Sequence, residues 1–132
     1  MLEGNDVLQP PKVLVVDDDE NILSAFEGFL KGEGCSVTTT GDVQEAMRQL
    51  EKRNISVLIT DVRLQYESGI TFLLKVKALY PKLPVMVVTG YPDLISEEDV
   101  RIYGADVLLM KPLDLTKLRA ALWSCLRQGA KH

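Results

Sequence analysis

Four apolar runs in this chain each end abruptly in polar residues that could do chemistry. The first leads into Asp17-Asp18-Asp19, the next into Asp61, then Thr89-Gly90, and the last into Lys111-Pro112. Adjacent carboxylates repel one another, more so in a low-dielectric setting, and persist most easily beside a cation. Hard carboxylate oxygens with some water suit Mg²⁺, which takes one or two protein carboxylates plus phosphate. Lys111 is one compact positive charge suited to a carboxylate or phosphoryl oxygen. Thr89 can donate one hydrogen bond to an incoming oxygen, and Gly90 leaves room beside it. Together these parts describe phosphoryl transfer onto a carboxylate.

The elements that must position them alternate strictly. Strands are predicted at residues 12–16, 35–40, 55–60, 84–88 and 107–110. The first and third are apolar at consecutive positions, as strands covered on both faces should be. Helices are predicted at 20–31, 43–52, from Ser68 or Gly69 to 80, 96–103 and 115–126. Gly32 and Gly34 close the first helix. Asp42 with Glu45 three residues on resembles a capping box. The last helix sets Leu115, Leu118, Leu122 and Leu126 along one face. Five strands alternating with five helices call for α/β architecture, a parallel sheet with helices on both faces and right-handed crossovers. Polar residues at strand ends then share the crevice where such sheets bind ligands.

A chain of 132 residues suits one domain: a flexible leader over 1–11 ending in Pro10-Pro11, a folded body over 12–128, and a tail over 129–132. A net charge of −4 argues against a nucleic-acid surface on this domain. No apolar run approaches the ~20 residues needed to span a bilayer, and no signal-peptide core is present, so a cytoplasmic location is expected. Cys35 and Cys125 have no metal-ligand spacing and read as small, reduced, buried hydrophobes.

The segments "VLVVDDDE" at 13–20, "VLITDVRL" at 57–64, "VMVVTG" at 85–90 and "GADVLLMKPLD" at 104–114, with Gly69 eight residues after Asp61, resemble the receiver domain of two-component response regulators. The resemblance covers residues 12–126, in the family's order and spacing. It implies the flavodoxin-like receiver fold with strand order 2-1-3-4-5. It also implies that Asp61 is the phospho-acceptor, with Asp17, Asp18, Asp61 and the backbone carbonyl of Arg63 holding Mg²⁺. Lys111 would pair with the phosphoryl oxygens and Thr89 would swing to bond them. A sensor histidine kinase or phosphotransfer protein would donate the phosphoryl group. The surface of the fourth helix, fifth strand and fifth helix would then dimerise or engage an output partner.

Several positions depart from the family's pattern. Gln65 stands where a Pro is common, Leu108 where a Tyr or Phe rotates on activation, and Leu113 where a Phe often follows Lys-Pro. Arg63 and Tyr91 border the site at positions that tune phosphate lifetime.

Plainer readings stand beside these. Asp19 reads better as a helix cap than as a ligand. Trp123 and Tyr103 read as packing residues. Two competing functions also fit some residues. One is a phosphatase of the haloacid-dehalogenase type, whose Asp-x-Asp pattern Asp17-Asp18-Asp19 imitates, although that scheme leaves Asp61 unexplained. The other is a receiver-like module that works without phosphorylation.

Overall fold

The computed structural model describes residues 9–64, 68–90 and 97–130. Five parallel strands form one sheet: β1 (Lys12–Val16), β2 (Ser36–Thr40), β3 (Val57–Thr60), β4 (Val85–Thr89) and β5 (Val107–Met110). Their order is β2-β1-β3-β4-β5. The described helices are α1 (Glu20–Gly32), α2 (Val43–Lys52), α3 (Gly69–Leu79), α4 (Glu97–Ile102) and α5 (Leu115–Ala130). The fold is that expected from the alternation of elements: β1, α2 and β5 match their expected bounds, and the other described elements differ at one or both ends by one to four residues.

Central and edge strands differ as their sequences do. Every residue of β3 and β4 is buried, because side chains on both faces meet helices. Threonine-rich β2 and the other edge strand, β5, have no fully buried residue. Alternation along the strands splits the core into two layers. Leu14, Val16, Leu58, Val85 and Val87 face one side, against Val43, Ala46 and Leu50 of α2 and Phe72, Leu73 and Val76 of α3. Val13, Val15, Ile59, Met86 and Val88 face the other, against Phe26 and Leu30 of α1 and Leu118, Leu122 and Cys125 of α5.

Several local expectations need correction. Of the two glycines closing α1, only Gly34 takes a left-handed φ (+89°), and its N–H returns to the Lys31 carbonyl. Asp42 does cap α2, accepting from the Gln44 N–H at 2.9 Å, but the reciprocal half of a capping box is absent. The Glu45 carboxylate accepts from Arg48 and Gln49 instead, and the Asp42 N–H donates to the Thr40 hydroxyl at 3.1 Å. The buried stripe of α5 is Leu118, Leu122 and Cys125, whereas Leu115 is exposed. That helix also runs past the expected tail boundary at 129 to Ala130. One glycine in a last turn costs only about 1 kcal/mol, too little to end a packed helix. The predicted start of α4 at Ser96 lies outside the described residues.

Both cysteines are free and buried. Burial pushes the Cys125 thiol from its ordinary 9.0 up to about 11, with the Asp106 charge adding to the effect. Between those values the unfolded chain releases a proton that the folded one keeps, so stability falls as pH rises through this window. Two pH units correspond to about 3 kcal/mol. Wild type should therefore lose about that much more stability than Cys125→Ala between pH 8 and pH 11 in denaturant titrations. Parallel profiles for the two proteins would remove the assignment.

Candidate functional site

Strand order reverses between β1 and β3, since β1 pairs with β2 on one side and β3 on the other. Their carboxyl ends therefore flank the switch-point crevice. Asp17 continues β1 by one residue, its N–H donating to the Thr40 carbonyl at 3.1 Å. Asp61 does the same for β3, donating to the Val16 carbonyl at 3.3 Å. Both aspartates are 3% exposed, which isolates their carboxylates from bulk water.

Lys111, just beyond β5, closes the cluster. Its Nζ lies 2.9 Å from Asp17 Oδ2 and 2.8 Å from Asp61 Oδ2. These bonds join residues 94 and 50 positions apart in the chain. Two carboxylates thus share one ammonium, leaving the buried group one negative charge in excess. Burial holds the Asp17 carboxyl above its ordinary range, more strongly than the Lys111 bond lowers it. For Lys111, burial favours the neutral amine, but the hydrogen bonds that it donates to Asp61 and Asp17 outweigh it and hold its pKa above the ordinary lysine value. The site therefore sets one charged lysine between two buried carboxylate groups.

Other bonds orient these groups. Asp17 Oδ1 accepts from the Asp19 N–H at 3.0 Å, and Asp61 Oδ1 accepts from the Arg63 N–H at 3.1 Å. Asp19 caps α1, its Oδ1 accepting from the Asn21 N–H at 2.9 Å, as its position predicts. Thr89 is fully buried at the end of β4, and its carbonyl accepts from the Lys111 N–H at 2.9 Å. A Cβ at Gly90 would sit 3.8 Å from the Lys111 side chain.

Asp17, Asp61, Thr89 and Lys111 are therefore brought together at the strand ends. Asp18 and the Arg63 side chain are exposed, and Leu108 is half-buried over the α2–α3 layer. Tyr91 and Gln65 lie outside the described residues.

Two features carried no signal in their residue types. Gly41 packs on the Asp17 backbone, where a Cβ would meet the Asp17 carbonyl oxygen at 3.2 Å. Thr60 is buried, and its hydroxyl donates to the Asp61 carbonyl at 3.1 Å. A threonine ending a strand gives no hint of that bond.

The donor set fits a hard divalent cation. It consists of oxygen atoms from two buried carboxylates with excess negative charge, as many as Mg²⁺ usually takes from a protein. Among the described residues no three Asp, Glu, His or Cys side chains converge on one point, so Asp18 is not drawn into the pair. No described helix is long and apolar enough to cross a membrane.

A doubly wound parallel sheet in this order is the architecture of CheY-like receiver domains. The model of the response regulator receiver domain matches residues 13–123, and the chain belongs to that family. The chain is 33% identical over 114 residues to the transcriptional regulatory protein ZraR of Escherichia coli O157:H7, across 86% of this chain and 26% of that protein. With the DNA-binding transcriptional regulator NtrC of E. coli K12 it shares 34% identity over 103 residues, across 78% and 22%. It spans about a quarter of the length of these curated relatives.

Among solved structures, a CheY-like receiver domain from Methanospirillum hungatei matches with a TM-score of 0.85 and 28% identity, covering 93% of this chain and 98% of that one. The receiver domain of an HD-domain-containing protein from Pseudomonas fluorescens gives 0.88 and 26%, covering 94% and 100%. Receiver domains are generally Mg²⁺-dependent.

Proposed function

We propose that this domain is a switch controlled by phosphorylation of Asp61, supplied by a phosphohistidine on a sensor histidine kinase or phosphotransfer protein. The observation that carries this reading is the buried Asp17–Lys111–Asp61 cluster at the switch point. In the transfer, an Asp61 carboxylate oxygen attacks phosphorus and the O–P bond forms as the P–N bond breaks. The donor imidazole keeps that bonding pair and takes up a proton. Lys111 Nζ, 2.8 Å from Asp61, would follow the new charge onto the phosphoryl oxygens.

Asp17 and Asp61 with the Arg63 carbonyl, joined by Asp18 once it turned inward from its exposed position, would hold Mg²⁺, which would neutralise charge on the transferring oxygens. Thr89 would turn its hydroxyl to the phosphoryl group, and Leu108 would fill the space it leaves. Tyr91 would border the site. The chain catalyses only its own phosphorylation and dephosphorylation, in the cytoplasm, without touching nucleic acid itself. The readout is a change in the α4–β5–α5 surface that dimerises it or engages a partner. Ile102, Met110 and Leu115, each at least 43% exposed, offer that surface apolar anchors.

The test is intact mass after incubation with Mg²⁺ and acetyl phosphate, for wild type and Asp61→Asn. One acid-stable, base-labile phosphoryl group is expected on wild type and none on the variant. No gain in either protein, with no Mg²⁺-dependent beryllofluoride binding, would leave a phosphorylation-independent module. Continuous phosphate release that survives Asp61→Asn but not Asp17→Asn would mean a phosphatase.

A further inference from the structure

Next to the charge cluster, one buried hydroxyl takes no part in the ion pairs. Thr60 ends β3 and is 1% exposed. Its neighbours at that level of the sheet are Val16 of β1 and Val87 of β4, both buried in the α2–α3 layer. Valine would meet the shape of such a place, and a hydroxyl buried among apolar groups costs free energy unless it is bonded. The Thr60 hydroxyl donates to the Asp61 carbonyl at 3.1 Å.

That bond fixes a torsion. The Asp61 N–H donates to the Val16 carbonyl, which holds the peptide before Asp61. The Thr60 hydroxyl holds the peptide after it, so both planes flanking the Asp61 Cα are set. From that backbone the carboxylate reaches two partners at once. Oδ1 accepts from the Arg63 N–H at 3.1 Å and Oδ2 from Lys111 Nζ at 2.8 Å. The first residue of α3 crosses the same carbonyl, since a Cβ on Gly69 would fall on the Asp61 oxygen. A carbonyl released from Thr60 would be free to turn, and the acceptor carboxylate would turn with it.

We propose that Thr60 is a positioning residue for phosphoryl transfer, its hydroxyl aiming the Asp61 carboxylate through the Asp61 carbonyl. The proposal rests on Asp61 as the phospho-acceptor. Because Thr60 acts through Asp61, it sets the maximal rate and leaves the half-saturating donor concentration alone. A misplacement of about 1 Å can cost about a hundredfold in rate, so a partial release of the carbonyl should cost about tenfold.

The test follows phosphoryl uptake by intact mass with Mg²⁺ and varied acetyl phosphate, for the full chain and its variants at this position. Thr60→Val keeps the shape and removes the donor. Thr60→Ser and Thr60→Ala differ by the oxygen alone, and that pair carries the test if Thr60→Val fails to fold. Thr60→Val and Thr60→Ala are expected to react about tenfold more slowly at saturating donor, with half-saturation within about twofold of wild type. Thr60→Ser should restore most of the rate. Val57→Ala, at the far end of β3, loses core packing but not the bond and should keep its rate. In metal-free ¹H–¹⁵N spectra the Arg63 amide reports the carboxylate directly, because it donates to Asp61 Oδ1. It should move upfield in Thr60→Val and Thr60→Ala and stay in place in Thr60→Ser. A wild-type rate in Thr60→Val, equal slowing in Thr60→Ser and Thr60→Ala, or an unmoved Arg63 amide would each overturn the proposal. No uptake by wild type would instead overturn the Asp61 reading, and the role in transfer with it, even where the Arg63 amide moves as expected.

Discussion

Lys111→Met lowers the unfolding free energy by about 3–5 kcal/mol near neutral pH in metal-free buffer, the usual cost of removing one partner from a buried charged cluster. The methionine keeps most of the volume of the lysine stem, so packing is largely retained and the lost quantity is charge. Asp17 and Asp61, with side chains 4% and 3% exposed, then face each other without the ammonium that bridges them at 2.9 and 2.8 Å. Two like charges in a dry site cannot both stay ionised cheaply, so one carboxyl is driven to bind a proton. The folded variant then holds a proton that the unfolded chain has released, so its stability rises as pH falls from neutral towards 5. Urea titrations with EDTA at pH 7.5 and pH 5 check this: the deficit of the variant is expected to shrink at the lower pH.

Asp17→Asn supplies the opposite arm of the same experiment. Burial already holds the Asp17 carboxyl above its ordinary range, so its charged form is the disfavoured one in the folded protein. A neutral amide of the same shape is expected to raise stability at pH 7 and to recover part of the Lys111→Met loss in the double variant. Equal deficits for Lys111→Met at both pH values, with no rescue by Asp17→Asn, would mean that the cluster is screened by water and the excess charge has no energetic consequence.

Gly69→Ala is expected to cost about 3 kcal/mol, the upper end for overpacking, and to lower the melting temperature by about 10 °C. A Cβ at Gly69 would fall on the Asp61 carbonyl oxygen and within 2.5 Å of Val62 Cα. Both are main-chain atoms, so no side chain can rotate away to make room. The crossing is pinned from several directions: the Gly69 N–H donates to the Val62 carbonyl at 2.8 Å, Arg63 bridges Ser68, and the Thr60 hydroxyl bonds the same Asp61 carbonyl. Relief of the clash therefore has to move the Asp61–Val62 segment, and with it the carboxylate opposite Lys111. Thermal melts and the phosphorylation assay should fall together. A melting temperature within two or three degrees of wild type, with normal phosphoryl uptake, would show that α3 can slide without disturbing Asp61.

Much of this molecule is legible in the residue order. Consecutive apolar positions in the runs that became β1, β3 and β4 require burial on both faces, and their alternation with amphipathic helices leaves a parallel α/β sheet as the economical arrangement. Where each run stops is equally local information, so Asp17, Asp61, Thr89 and Lys111 could be placed at strand ends before any contact was known. Asp19 and Asp42 could be named as caps, because an N-cap bond reaches only two or three residues along the chain. Strand order came from likeness to a family, since short β-branched strands carry little to specify their neighbours.

Tertiary structure decided whatever depends on two distant segments meeting. One ammonium serving two carboxylates is such a case, and so is the clash that makes Gly69 a necessity rather than a preference. Competition among nearby groups escaped the sequence as well: Glu45 has the spacing for a capping box, but Arg48 and Gln49 take its oxygens. Leu115 has the period of a core residue yet stays exposed, while Cys125 takes a buried place, because the sheet is where α5 finds its apolar contacts. Local sequence sets what each element can bury and what each strand end can offer. Only packing sets which offered groups meet, because distance, desolvation and excess charge are properties of the assembled site.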